Sequence, residues 1–170
     1  MKKVLLTLLF LLMGAVLVFA AEAKKKEVKT VADGKKISIE YTLKLEDGTK
    51  VDSNVGGKPF TFIQGKHQII PGLEKAIAGM KIGETKDIVV PPEEGYGPVR
   101  KEAFREVDKK RLPADALKVG TMLQGRDPSG GVIYARVAEV KEKTVVLDFN
   151  HPLAGKKLYF SVKILDIQDK

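Results

Sequence analysis

Hydrophobic and polar positions along the chain fall into distinct regimes. Residues 4–21 are apolar apart from Thr7 and Gly14. From Lys36 the pattern becomes an alternation: KISIEYTLKLEDG sets Ile37, Ile39, Tyr41, Leu43 and Leu45 at every second position, the period of a strand with one buried face. Asp47-Gly48 supplies a turn, and TKVDS leads into a loop through Gly56 and Gly57. KPFTFIQG carries Phe60 and Phe62 two residues apart, on one side of another strand. Pro71 suits the first turn of a helix, where its missing N–H is not needed, and Leu73, Ala76, Ile77 and Met80 share a face of that helix. Gly83 is its expected stop. TKDIVV returns to strand and PPEEGYG ends it.

Beyond Gly97 the pattern changes again. LKVGTMLQG, GVIYARVAEV and TVVLDFN predict three short strands with turns at residues 127–131 and 141–143, enough for a small sheet of their own. The charged stretch before them, residues 100–116, has Pro113 as a breaker and predicts no regular element. GKKLYFSVKILDI then alternates Leu158, Phe160, Val162 and Ile164, a last strand for the first sheet. One domain, residues 34–98 and 150–170, is therefore expected to be interrupted by another, residues 99–149.

The apolar start reads as a signal peptide of residues 1–23. Lys2 and Lys3 precede the run, and the small residues of VFA and AEA offer cleavage after Ala20 or Ala23. The alternative is an uncleaved anchor, since the run is long for a leader and Lys24, Lys25 and Lys26 follow it. Either way the folded part is expected across a membrane, in a bacterial periplasm, with residues 24–35 as a flexible linker. The membrane is contacted only through the leader.

Composition narrows the chemistry. The chain has no cysteine, which removes disulfides, thiolate metal sites and cysteine nucleophiles. Cleavage after Ala20 removes Lys2 and Lys3 and no acid, lowering the formal net charge from +8 to +6. Basic residues cluster in KKKEVK and VRKEAFREVDKKR, but acids are interspersed and no aromatic residues interleave, so a nucleic-acid partner is not expected. His67 and His151 lie far apart with no carboxylate at ligand spacing, and read as loop or surface residues, not metal ligands. The sequence holds no nucleophile elbow, phosphate loop or dinucleotide fingerprint. Glu93-Glu94, adjacent in a Pro/Gly-bounded loop, suits a solvated pair better than a catalytic one. The residues alone describe an apolar cleft, hence a binding module.

YTLKLEDGTKVDS, KPFTFIQGKHQIIPGLEKAIAGMKIGE and EEGYG, resumed at NHPLAGKKLYFSVKILDI, together resemble the FKBP-type peptidyl-prolyl isomerases of the SlyD-like subgroup. The resemblance spans residues 36–168, and the return at NHPLAGK after an insert of about 50 residues marks the subgroup. It implies an α+β, mostly β fold: a half-open antiparallel sheet wrapping a short helix, with a small β-rich insert-in-flap domain that holds unfolded chains. It implies an isomerase acting on X-Pro bonds in unfolded or partly folded polypeptides, without cofactor, as a monomer, and a cleft that macrolide inhibitors could enter.

By the same resemblance Tyr41, Phe60, Phe62, Ile69, Ile70, Leu73, Tyr96 and Phe160 line the proline pocket. Ile70 offers its backbone N–H to a substrate carbonyl, Tyr96 offers its hydroxyl to another, and Asp52 is the cleft carboxylate that orients and stabilises. Spacing alone leaves Phe60, Phe62, Leu73 and Phe160 equally at home in a core, and leaves Asp52 as a turn cap with Ser53 and Asn54. Tyr96, between Gly95 and Gly97, has little core to fill. Leu73 stands where many relatives carry tryptophan and Val51 where many carry phenylalanine, so preference for the residue before proline is expected to differ. In the insert Met122, Leu123, Val132, Ile133 and Tyr134, with Val137 and Leu147, exceed what a small sheet buries on both faces, which suggests a sticky surface for extended chains. The bland reading is that they pack on one another. The closing DIQDK has no histidine, so the metal-binding tail of cytoplasmic relatives is not expected. A holdase with little or no turnover is the competing function.

Overall fold

A computed structural model describes residues 29–114 and 117–169. The leader, its cleavage sites and residues 24–28 of the linker lie outside them; residues 29–35, expected to belong to a flexible linker, are instead part of the body, since Thr30 bridges Lys81 and Val31 is 2% exposed within the core. Among the described residues no helix is long and apolar enough to cross a membrane.

The body is a five-stranded antiparallel sheet built from β1 (Lys36–Lys44), β2 (Lys50–Ser53), β3 (Phe60–Ile63), β4 (Thr85–Val90) and the C-terminal Leu158–Gln168 strand, with one short helix, α1 (Pro71–Ile77). Four more strands form the insert: β5 (Phe104–Asp108), β6 (Met122–Arg126), β7 (Val132–Val140) and β8 (Thr144–Asp148), so the C-terminal strand is β9. In the body the order is β2-β1-β9-β4, and β3 pairs with the half of β1 that β2 leaves free. This is the half-open sheet around one helix that the resemblance implied.

The alternation in β1 and β9 explains the core. Antiparallel register sets Ile37 opposite Ile167, Ile39 opposite Ile164, Tyr41 opposite Val162 and Leu43 opposite Phe160. Facing partners share a side of the sheet, so one register step aligns two apolar rows. Ile37, Ile39, Ile164 and Val162 are fully buried beneath α1, which adds Leu73 and Ile77. A bulge between Ser38 and Ile39 shifts the pairing with β9 and adds local twist.

The helix stops earlier than its apolar spacing suggested. It ends at Ile77, and the left-handed residue is Gly79 (φ 80°), not Gly83 alone. The cause is tertiary: Gly79 N–H donates to the Val31 carbonyl and Val31 N–H to that of Met80, both at 2.8 Å. This N-terminal pairing draws residues 79–80 out of the helical ladder, and buried Met80 reaches the core from a turn. At the other end Gly72 approaches β4 so closely that a Cβ there would lie 2.6 Å from Val90 Cγ1.

Among the described residues the insert has four strands, ordered β5-β8-β7-β6, where three were expected. The additional one, FREVD, lies in the charged stretch that predicted no regular element. Of its residues only Val107 packs on the insert's core of Ala135, Val137, Val145 and Leu147; the others are exposed, so charge masks the pattern. Pleating also divides the proposed sticky residues. Met122, Val132 and Tyr134 are exposed on one face, whereas Leu123 packs on the core and Ile133 is half-buried on the opposite face. They do not form one patch.

At the neck the chain leaves and re-enters at adjacent points. Arg100 N–H donates to Asn150 Oδ1 at 2.9 Å, and Asn150 Nδ2 donates to the Arg100 carbonyl at 3.1 Å. Asp148 Oδ1 accepts from both the backbone and the side chain of Asn150, and Arg136 pairs with Oδ2 at 3.2 Å. Burial pushes the Asp148 carboxyl up, but the Asn150 hydrogen bonds and Arg136 outweigh it and hold it below the usual carboxylate range.

Candidate functional site

Where β1 ends against β9, the core opens into a cavity of about 160 Å³. Its floor and sides come from alternating inward positions: Ile39, Tyr41 and Leu43 of β1, Phe160 of β9, Phe60 of β3 and Leu73 of α1. Ile69 and Ile70 close one rim, Tyr96 another, and Asp52 of β2 supplies the carboxylate.

Tyr41 is the centre of an aromatic group. Its ring lies 6.1 Å from Phe60, edge to face, and 6.2 Å from Phe160. Its hydroxyl donates to Asp52 Oδ2 at 2.5 Å. Burial, then the hydrogen bond to Asp52, then that carboxylate's charge push the Tyr41 pKa up to about 12. Asn54 ties the end of β2 to β1: its Oδ1 accepts Tyr41 N–H at 2.6 Å and its Nδ2 donates to the Ile39 carbonyl at 3.0 Å. With its Oδ2 on Tyr41, Asp52 also accepts Ser53 N–H through Oδ1 at 2.8 Å and stands at the cavity edge.

The rim at Ile69 and Ile70 is held from below. Buried Glu74 accepts Gly65 N–H at 2.8 Å through Oε1 and touches His67 Nδ1 at 3.2 Å through Oε2, while Gln64 Nε2 donates to the Glu74 carbonyl at 2.8 Å. Gln68 Oε1 accepts Ile63 N–H at 2.8 Å. Ile70 has extended backbone (φ −61°, ψ 142°), and its carbonyl accepts from Leu73 and Glu74, both at 3.1 Å, to start the helix. Pro71 follows at the position that has no N–H to satisfy.

Most of the residues expected in the pocket thus meet around one cavity. Phe62 does not. It is 3% exposed and absent from the lining: β3 pairs with β1 so that Phe62 sits opposite fully buried Ile37 and Phe60 opposite cavity-lining Ile39, with the two phenylalanine rings 5.9 Å apart. Ile39, Leu43 and Gln68 line the cavity and were not anticipated; the two apolar ones share Tyr41's phase in the alternation, which was the available signal. His67 reads in sequence as having no carboxylate neighbour, yet the fold brings Glu74 to it. His151, expected in a loop, stacks on Tyr96 with ring centroids 3.8 Å apart. Nothing short-range in the sequence joins those two rings.

The Tyr41 shift gives a pH prediction. A folded value near 12 against about 10 for the free phenol means that the stabilisation is complete below the unfolded value and is lost as pH rises from there toward the folded one. Urea midpoints measured through the alkaline range should fall more steeply for the wild type than for Tyr41→Phe. Parallel curves would show that the contact does not contribute.

Among the described residues no cluster of three or more His, Asp or Glu side chains is placed to hold a metal. What the cavity offers is an apolar wall with a few polar groups at its edge, which suits binding and turning a flexible apolar ring without covalent chemistry.

The family profile described as FKBP-type peptidyl-prolyl cis-trans isomerase matches residues 27–165. A Helicobacter pylori protein named FKBP-type peptidyl-prolyl cis-trans isomerase SlyD is 37% identical over 132 residues, covering 77% of this chain and 71% of its own length. The short-type peptidyl-prolyl cis-trans isomerase of Methanocaldococcus jannaschii is 32% identical over 161 residues, covering 83% and 96% respectively. A SlyD-named protein of Haemophilus influenzae is 34% identical over 130 residues, covering 76% and 68%. With the half-open sheet and its aromatic cavity, these matches establish that the chain belongs to the FKBP-type peptidyl-prolyl cis-trans isomerase family.

Proposed function

We propose that the protein accelerates cis-trans rotation of X-Pro bonds in exported polypeptides, and that its insert holds those polypeptides while they fold. The observation that carries the first part is the cavity: apolar and aromatic on its walls, with Asp52, Tyr41, Tyr96 and Gln68 as its polar edge. X-Pro rotation is slow because about 18–20 kcal/mol is needed to break amide resonance. The planar amide is polar through that resonance, and the twisted transition state has lost much of the charge separation. A water-poor apolar wall therefore favours the twisted form. A thousandfold acceleration requires only about 4 kcal/mol.

Proline enters over Leu73 between Tyr41, Phe60 and Phe160. The Ile70 N–H and the Tyr96 hydroxyl hold the flanking carbonyls, and the Asp52 carboxylate, fixed by Tyr41, orients the amide. A protease-coupled assay on a short X-Pro peptide tests this: a rate equal to the uncatalysed one at micromolar protein would leave only a holdase. Asp52→Leu is expected to lower kcat/KM about tenfold and Tyr96→Phe about fivefold, with folding retained, since each removes one polar contact of roughly 1–1.5 kcal/mol. Wild-type rates in both would remove the assignment.

The exposed Met122, Val132 and Tyr134 on the insert's outer face support the holding role, because neighbouring apolar side chains on a small sheet offer contact area to an extended chain. Residues 99–149 act on this reading as a separable unit. The apolar N-terminal run with its small-residue sites supports export to a periplasm; N-terminal sequencing of the exported protein distinguishes cleavage from anchoring.

A further inference from the structure

We propose that His151 is a positioning residue for the isomerase reaction: its ring, stacked flat on Tyr96, fixes the direction in which the Tyr96 hydroxyl enters the cavity. The two rings are nearly parallel, at 5° and 3.8 Å between centroids. Tyr96 requires such a support. It stands between Gly95 and Gly97, the latter at φ 78°, and 40% of its surface is exposed. Short glycine-flanked loops restrict a side chain little by themselves.

His151 arrives from the far end of the insert and is itself fixed. Its Nδ1 accepts Leu153 N–H at 3.1 Å, so the neutral ring carries its proton on Nε2. Gly155 N–H donates to the Gly97 carbonyl at 2.8 Å, a second tie between the same two segments. The loop that bears Tyr96 therefore leans on the chain re-entering from the neck.

The arrangement is sensitive to protonation. Tyr96 covers one face of the imidazole, and the groove beyond contains Tyr134, Arg136 and Asp148, the last two paired with each other. Burial holds the His151 pKa below the usual histidine value, so the ring is neutral at neutral pH. A proton on Nδ1 would face the Leu153 N–H, donor against donor, and the ring would have to leave its present orientation. Tyr96 would then lose its backing.

The inference rests on the reading of Tyr96 as a substrate donor, and the test separates the two. His151→Phe keeps a flat ring that cannot titrate. His151→Asn keeps an acceptor for Leu153 N–H but removes the ring. On a short X-Pro peptide His151→Phe should stay within about twofold of the wild-type kcat/KM, and His151→Asn should lose about fivefold, no more than Tyr96→Phe itself. The wild-type value should fall from about pH 7 to about pH 5 while that of His151→Phe stays level. In a Tyr96→Phe background His151→Asn should cost less than about twofold, because the hydroxyl it positions is gone. Wild-type activity in His151→Asn, equal losses in both His151 variants, or an undiminished loss in the Tyr96→Phe background would each overturn the inference. A silent Tyr96→Phe would instead overturn the donor reading itself.

Discussion

Replacing residues 101–149 with a short Gly-Ser linker is expected to leave kcat/KM on a short X-Pro peptide within about twofold, and to lower catalysed refolding of a proline-limited protein about a hundredfold. The first half follows from the neck. Arg100 and Asn150 already meet through two hydrogen bonds of 2.9 and 3.1 Å, so a linker of a few residues spans the gap. The sheets have separate apolar clusters, and every cavity-lining residue lies outside the excised segment. Tyr96 and His151 are also retained.

The second half follows from effective concentration. On the proposed holding role, a client bound to the insert would present its prolines to the cavity at millimolar local concentration, whereas a free client must find the cavity by diffusion. Refolding monitored by fluorescence, with and without the insert, measures the ratio. Unchanged refolding would remove the insert from the mechanism. Loss of both activities would mean that the insert completes the body's fold.

Gly72→Ala should be the most damaging methyl group that can be added to the body. The added carbon would lie 2.6 Å from Val90 Cγ1, 3.0 Å from Glu94 Cβ and 3.2 Å from the Glu94 carbonyl oxygen. Val90 is 1% exposed and has no room to yield. Overpacking of this kind costs about 1–3 kcal/mol. The first turn of α1 must then move off β4, carrying Ile70 and Leu73, which line the cavity, so peptide turnover should fall further than stability alone accounts for. Gly57→Ala is the control: its Cβ meets only the Asn54 carbonyl oxygen at 3.4 Å, and it should change stability by less than about 0.5 kcal/mol. Pairing Gly72→Ala with Val90→Ala should give less than the sum of the two losses, since the nearest atom is gone. A Gly72→Ala protein with the wild-type urea midpoint and turnover would contradict the close approach of α1 to β4.

How much of this is legible in the sequence depends on the range of the interactions responsible. The alternation in β1 and β9 states both the strands and their buried faces, because a one-residue slip would expose Ile39 and Ile164 together. The same phase identifies Ile39 and Leu43 as neighbours of Tyr41. Local chemistry also places the Asp47-Gly48 turn and the Pro71 helix start.

Other features depend on partners distant in the chain. Phe60 and Phe62 are equivalent by spacing, yet the register of β3 on β1, opposite Ile39 and Ile37 respectively, decides that one lines the cavity and the other is buried. The early end of α1 is imposed by Val31, far upstream. β5 is concealed because an edge strand with one packed residue carries no alternation worth reading. Family resemblance is what marks Asp52 and Ile70; position alone leaves Asp52 a turn cap and assigns Ile70 no role. The stack of Tyr96 on His151 had no signal in either segment.

The pairing of β1 with β9 spans roughly 120 residues of chain. A molecule emerging amino end first therefore displays Tyr41, Asp52, Phe60 and Tyr96 well before Phe160 exists to face them. Until that late strand docks, β1 has an open side and the hollow has no back wall. A growing chain therefore lacks a complete hollow, and the helper for other proteins' slow rotations belongs by its own topology among the slower assemblers.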